Sequence, residues 1–193
     1  MYSAFSSIGD ELHCEGVKLN TIASAVGTPV YVYSKAAMVE RIRAYEAALA
    51  HVPHVVAYAV KANTNQWVIG AMANEGAGGD VHSGGELFRA VNAGIPGGKI
   101  VYSGVGKTRE EMREALHAGI MLFSVESPAE LQALSNVASS MGRIAPVALR
   151  VNPDVDPLTH PYISTGLKTA KFGIPLSDAL EVFETARQLP GLA

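Results

Sequence analysis

The sequence predicts an α/β protein, a (β/α)8 TIM-type barrel truncated at about five of its eight strands, and three observations carry that prediction. Short β-branched and aromatic runs alternate with longer amphipathic stretches, the pattern of βα units on a parallel sheet. The short runs are apolar without strict alternation, as strands covered on both faces should be. Such units fit either a doubly wound sheet or a barrel. A complete barrel needs about 250 residues, the chain has 193, and it stops where another strand is due, so an incomplete barrel is expected.

The strands are expected at VYVYS (30–34), VVAYAV (55–60), GDVHS (79–83), KIVYSG (99–104), LFSVE (122–126) and PVALRVN (146–152). Between them, 34–50 and 177–191 read as amphipathic helices, the second closed by Pro190 and Gly191. Thr108 with Glu111 and Ser127 with Glu130 have capping-box spacing, and Pro128 suits a first helical turn. Gly94, Gly119 and Gly142 fall where helices should stop. No repeat or low-complexity linker interrupts the pattern.

Composition narrows the partners. With 48% hydrophobic residues and a formal charge of −3, the chain has the makings of a packed domain, and its cations are scattered rather than gathered into a patch for nucleic acid or an anionic membrane. A small-molecule partner is expected. One cysteine, Cys14, leaves no disulfide framework and no thiolate metal spacing, which suits a reducing cytoplasm. No signal-peptide pattern or membrane-length apolar run is visible, and no metal site is expected.

In either architecture reactive groups belong at the carboxyl ends of the strands. Lys61 and Asn63 follow the second run; Asp80, His82 and Ser83 lie in or after the third; Ser103 ends the fourth, Glu126 the fifth, and Arg150 with Asn152 the sixth. A lysine at the end of a buried strand is desolvated, which makes it a better amine nucleophile towards an aldehyde. On position alone the commoner outcome for such a lysine is a solvated loop. Arg150 reads either as an anion-binding group or as the partner of Glu126 or Asp80. A lone His82 reads as a packed or hydrogen-bonded histidine rather than a metal ligand.

The motifs decide further. YAVKANTN (58–65) resembles the cofactor-lysine motif of the fold III pyridoxal-phosphate (PLP) decarboxylases, the ornithine/diaminopimelate/arginine decarboxylase family with an alanine-racemase-like barrel. The resemblance continues in order through GTPVYVYS (27–34), GGDVHSGGEL (78–87), YSGVGKTREEM (102–112), FSVESPAEL (123–131), LRVNPDVD (149–156) and TGLKTAKFGI (165–174). It implies that Lys61 is the lysine that carries PLP, that Asp80, Ser83 and Glu86 line the cofactor pocket, and that Arg150 lies near the cofactor ring. His82 stands where the family commonly has an apolar or small residue. THPYISTG and KFG resemble a segment beside the active site, although no chemistry is assigned to His160 or Lys171.

The same resemblance implies decarboxylation of an amino-acid substrate and a homodimer at full length, with the diaminopimelate branch favoured over ornithine or arginine decarboxylases and racemases. A non-catalytic decarboxylase-like binding protein is the alternative from another class. It also implies that residues 1–29 associate with a C-terminal β domain and that 30–193 form the incomplete PLP-binding barrel. The family's later parts are not matched: the ring-stacking histidine, the glycine-rich phosphate loop, the acid that pairs with the pyridine nitrogen and the proton-donating cysteine. A barrel left open exposes apolar surface and a strand edge, so the chain alone is expected to be poorly soluble or partly disordered and inactive.

Overall fold

The computed structural model describes residues 4–155 and 172–193; His160 and Lys171 lie outside the described residues. The chain opens with an antiparallel sheet of β1 (Phe5–Ile8), β2 (Glu11–Cys14) and β3 (Val17–Lys18), followed by α1 (Leu19–Val26). Gly9 and Gly16 turn the chain between strands at positive φ, where a side chain would be strained. Glu15, at the second turn, accepts hydrogen bonds from Ser34 Oγ and, at 2.8 Å, from the Ala36 amide. These bonds hold its carboxyl below the usual range and tie the small sheet to the start of α2 (Lys35–Leu49).

The segment 30–34 is not a strand. Tyr31 and Tyr33 are exposed with their rings stacked, and Ser34 caps α2 by accepting from the Ala37 amide at 3.0 Å. β-branched and aromatic composition favours an extended chain, but a strand exists only where a neighbour takes up its backbone groups. Among the described residues, β4 (Ala57–Ala59) is paired on one side only, with β5 (Gly78–Val81).

The central sheet is parallel, in the order β4, β5, β6 (Ile100–Tyr102), β7 (Leu122–Val125), β8 (Val147–Leu149). The crossovers are α3 (Gln66–Asn74), α4 (Gly84–Asn92), α5 (Arg109–Ala118) and α6 (Pro128–Ser140). Along β5 to β7 burial alternates: Val81, Ile100, Tyr102, Phe123 and Val125 are fully buried, whereas Asp80, Val101 and Ser124 are half-exposed. The buried set packs against Leu87, Met112, Leu116, Leu131 and Leu134 of the helices, each such side chain contributing about 1.5–3 kcal/mol. The strands are therefore not covered on both faces, as the apolar runs suggest; the face away from the helices is left partly open.

The backbone passes close to itself at two glycines, Gly78 of β5 beside the residue before β6 and Gly97 of the turn before β6 beside the end of α5. A Cβ at Gly78 would lie 2.2 Å from the Lys99 carbonyl oxygen, and one at Gly97 only 1.9 Å from that of Ala118. Helix ends follow the local code. α5 carries a reciprocal capping box between Thr108 and Glu111 and ends at Gly119 in the left-handed conformation. α6 starts with Ser127 accepting from the Glu130 amide and Pro128 in its first turn.

The run 146–152 divides at Arg150 into β8 and β9 (Val151–Asn152). The Arg150 amide donates to Val125 of β7 at 2.8 Å, while its carbonyl accepts from Ile174 at 2.7 Å. Ile174–Pro175 is β10, parallel to β9 and absent from the sequence expectation. After α7 (Ala179–Gln188), Leu192 bridges in parallel to Ala145, and Val147 donates to the Ala193 carbonyl at 2.8 Å. Residues 191–193 thus lie alongside Ala145 and the start of β8. We expect Gly97→Ala to cost about 1–3 kcal/mol through overpacking, read by urea denaturation; an unchanged midpoint would mean that the turn before β6 and the end of α5 do not pass this closely.

Candidate active site

Parallel pairing places residues that follow paired positions side by side. Ala59 pairs with Asp80, so Lys61, in the 3-10 turn Val60–Ala62, emerges beside His82. Val81 pairs with Tyr102 and Val125 with Leu149, which sets Ser103 beside His82 and Glu126 beside Arg150. The carboxyl edge of the sheet thus gathers the groups that the sequence order suggests.

Lys61 Nζ lies 3.2 Å from His82 Nε2. The lysine is exposed, so the burial expected of a strand-end lysine is not supplied by the described residues; its position is set by the histidine. His82 Nε2 is also 3.9 Å from Asp80 Oδ2, and His82 Nδ1 is 3.6 Å from Glu86 Oε2. The His82 amide donates to Glu86 Oε2 at 2.9 Å. Gly104, whose φ of 93° favours glycine, lies next to the His82 ring, a Cβ there being in ordinary contact with it at 3.5 Å.

Ser83 is the N-cap of α4, its Oγ accepting from the Glu86 amide at 3.2 Å. Its hydroxyl is occupied by the helix start. Glu126 and Arg150 form an ion pair, Arg150 Nη1 donating to Glu126 Oε1 at 2.9 Å. The Glu126 side chain is 4% exposed and that of Arg150 39%, and the guanidinium lies 5.0 Å from the centre of the Phe172 ring, a cation–π distance. The carboxylate anchors the arginine from beneath and leaves its outer donors accessible.

Buried polar atoms normally have partners, yet at this edge Asp80 Oδ1, His82 Nδ1 and Glu126 Oε2 are buried without a hydrogen-bond partner among the described residues. Two of these atoms lie at the end of β5 and one after β7, on the same edge of the sheet, where a polar ligand could supply the missing partners. Tyr58 closes the lysine loop by donating to the Asn63 carbonyl at 3.1 Å, and burial pushes its phenol up. No group of three or more His, Cys, Asp or Glu side chains fit to hold a metal ion occurs among the described residues.

Lys107 is the residue that sequence reasoning missed. Its side chain is 0% exposed, and Nζ donates to the carbonyls of Gly104 and Ser124 at 2.6 and 2.7 Å and to Glu130 Oε1 at 2.6 Å. All three ammonium donors are used, which is what lets a lysine be buried. It stands over the Tyr102 ring, 5.8 Å from its centre. Burial, with Glu111, Glu114 and Glu86 near, pushes the Tyr102 phenol far above its usual value. In the sequence Lys107 is one cation in a glycine-rich loop, with no signal of burial.

The family profile "Pyridoxal-dependent decarboxylase, pyridoxal binding domain" matches residues 35–193. The chain belongs to the pyridoxal-dependent decarboxylases. It is 54% identical over 190 residues to the diaminopimelate decarboxylase of Pseudomonas fluorescens, covering 98% of this chain and 46% of that protein. For the Neisseria meningitidis serogroup B diaminopimelate decarboxylase the identity is 49%, covering 94% of this chain and 44% of that protein. Among solved structures, that of diaminopimelate decarboxylase from M. jannaschii in co-complex with L-lysine superposes with a TM-score of 0.90 at 35% identity, over 98% of this chain and 45% of that one. The chain thus spans just under half the length of these decarboxylases.

A pyridoxal group fits the residues present. Along one edge stand an amine that can take up its aldehyde, a guanidinium that can donate to an anionic oxygen, and unpartnered carboxylate oxygens that can accept from N–H or O–H donors of the bound group. We expect Lys107→Met to cost about 3–5 kcal/mol, since it strands the buried Glu130 carboxylate, with Lys107→Met/Glu130→Gln recovering part of the loss in urea titrations. A loss below about 1 kcal/mol would contradict the buried pair.

Proposed function

We propose that this chain supplies the cofactor lysine and the inner wall of the active site in a PLP-dependent enzyme that converts meso-2,6-diaminopimelate to L-lysine and CO2. The observation that carries the reading is Lys61 at the carboxyl edge of the sheet, held by His82 beside the unpartnered Asp80 carboxylate, in a chain 54% identical to a diaminopimelate decarboxylase. That a related decarboxylase has been solved with L-lysine, the product of this reaction, supports the substrate.

Each residue has a definable task. Lys61 binds the cofactor through its aldehyde and gives way to the amino group of the substrate. Arg150, held by Glu126 and always charged, presents donors to an anionic oxygen. Asp80 and Glu86 set the polarity around the lysine, and Ser83 acts by fixing the start of α4, which in turn fixes Glu86. When bound, PLP supplies the electron sink that takes up the electron pair left by loss of CO2.

The reading extends to a homodimer of the complete protein, a cytoplasmic location, and association of residues 1–29 with a further β domain. Supporting the last, Phe5, Ile8, Leu12 and Val17 of the small N-terminal sheet are exposed, a patch that such a domain would cover. Cys14 is free, in keeping with a reducing compartment, and no helix among the described residues is long and apolar enough to cross a membrane.

The test uses the complete protein. Borohydride reduction with PLP bound should fix the cofactor on the peptide containing Lys61, and Lys61→Ala should abolish the visible cofactor absorbance and lower CO2 release from diaminopimelate at least about a hundredfold. Cofactor on another lysine would overturn the site assignment, and faster CO2 release from ornithine or arginine would overturn the substrate.

A further inference from the structure

His82 is the group at the carboxyl edge that the family resemblance leaves without a role, and it is the one that touches Lys61. Its ring is held on every side. The backbone amide is bonded to Glu86, the ring lies against Gly104, and the nitrogens face Lys61, Asp80 and Glu86. A side chain that only filled space would not need a buried nitrogen turned towards a carboxylate.

The surroundings assign the tautomer. Nδ1 faces the Glu86 carboxylate at 3.6 Å, where a lone pair would be repelled and an N–H attracted. A neutral ring with its proton on Nδ1 has a free lone pair on Nε2, aimed at Lys61 Nζ 3.2 Å away. A carboxylate that orients an imidazole so that its far nitrogen can serve a reactive group is a recurring arrangement. Once the ring gains a second proton, Nε2 can no longer accept, and an imidazolium and an ammonium at this separation repel. The nearest acceptor for the new N–H is then Asp80 Oδ2, at 3.9 Å.

We infer that His82 is a positioning residue for Lys61: its Nε2 holds the lysine amine at the carboxyl edge in the tautomer fixed by Glu86, and protonation of the ring turns it to Asp80 and releases the amine. The inference rests on reading Lys61 as the cofactor lysine and adds to it a pH-dependent control of where that amine stands. The charged groups facing the ring are Lys61 from the turn after β4, Asp80 from its own strand and Glu86 from α4, while the β6 to α5 loop presents the uncharged Gly104.

The experiment follows the reactivity of the amine itself. The complete protein, freed of PLP, is trace-labelled with formaldehyde and cyanoborohydride from acid to alkaline pH, and labelling of Lys61 is measured relative to the exposed Lys35. In the wild type this ratio should change about three- to tenfold, the worth of one such hydrogen bond, across a single titration. His82→Gln retains an acceptor and cannot titrate, so its ratio should be flat with pH. His82→Val should also be flat, but displaced from the neutral-pH wild-type ratio by a similar factor.

Identical profiles in the wild type and both variants would overturn the inference. Borohydride trapping with PLP, run in parallel, separates the two failures. Attachment at Lys61 with identical profiles sinks the role of His82 alone, whereas no attachment at Lys61 sinks the functional reading and this inference with it.

Discussion

The register of the parallel sheet is the constraint on which the site depends. A parallel ladder carries neighbouring strands forward in step, so whatever follows paired residues emerges at the same edge. Ala59 opposite Asp80 brings Lys61 to His82, and Val125 opposite Leu149 brings Glu126 to Arg150. A slip of one residue would turn each of these side chains to the other face. What prevents the slip is the buried face, where Val81, Ile100, Tyr102, Phe123 and Val125 lock against the helices, and the close passes at Gly78 and Gly97, which admit no side chain.

Polar groups at the sheet's edge are organised by one device used twice. After β5 and after β7 a serine caps the next helix, and a glutamate three residues later returns its carboxylate to the amide just before the serine, His82 in one case and Glu126 in the other. The two carboxylates differ in what else they touch. Glu130 turns its other oxygen, Oε1, to the buried ammonium of Lys107, binding the β6 to α5 loop to β7, whereas Glu86 faces the ring of His82 with the same Oε2 that accepts from the His82 amide. The same local geometry thus yields a buried strut in one turn and a support for the ring beside Lys61 in the other.

Much of this was legible in the sequence, and the exceptions have physical causes. The runs that carry Asp80, Glu126 and Arg150, and the one that Lys61 follows, could be placed as strands because period and caps are local properties. VYVYS could not be judged locally, since its composition favours an extended chain but its strand character needs a partner that the described residues do not provide. β10 and the bridge at Leu192 have the converse reason: Ile174–Pro175 and 191–193 have no strand-like run of their own, and the one pairs as a strand and the other bridges only by lying beside Val151 and Ala145. Burial is legible at one lysine and not at the other: Lys61 is exposed, the commoner outcome for its position, while nothing in the sequence signals that Lys107 is enclosed.

The central claim is that this edge of the sheet receives the cofactor with Lys61 as its point of attachment. A crystal structure of the complete protein grown with PLP tests it most directly. The account predicts continuous density from Lys61 Nζ into the cofactor, with Asp80, His82 and Arg150 around it and the carboxylate oxygens of Asp80 and Glu126 no longer without partners. Cofactor density joined to another lysine, or seated away from the ends of β4 to β8, would contradict it.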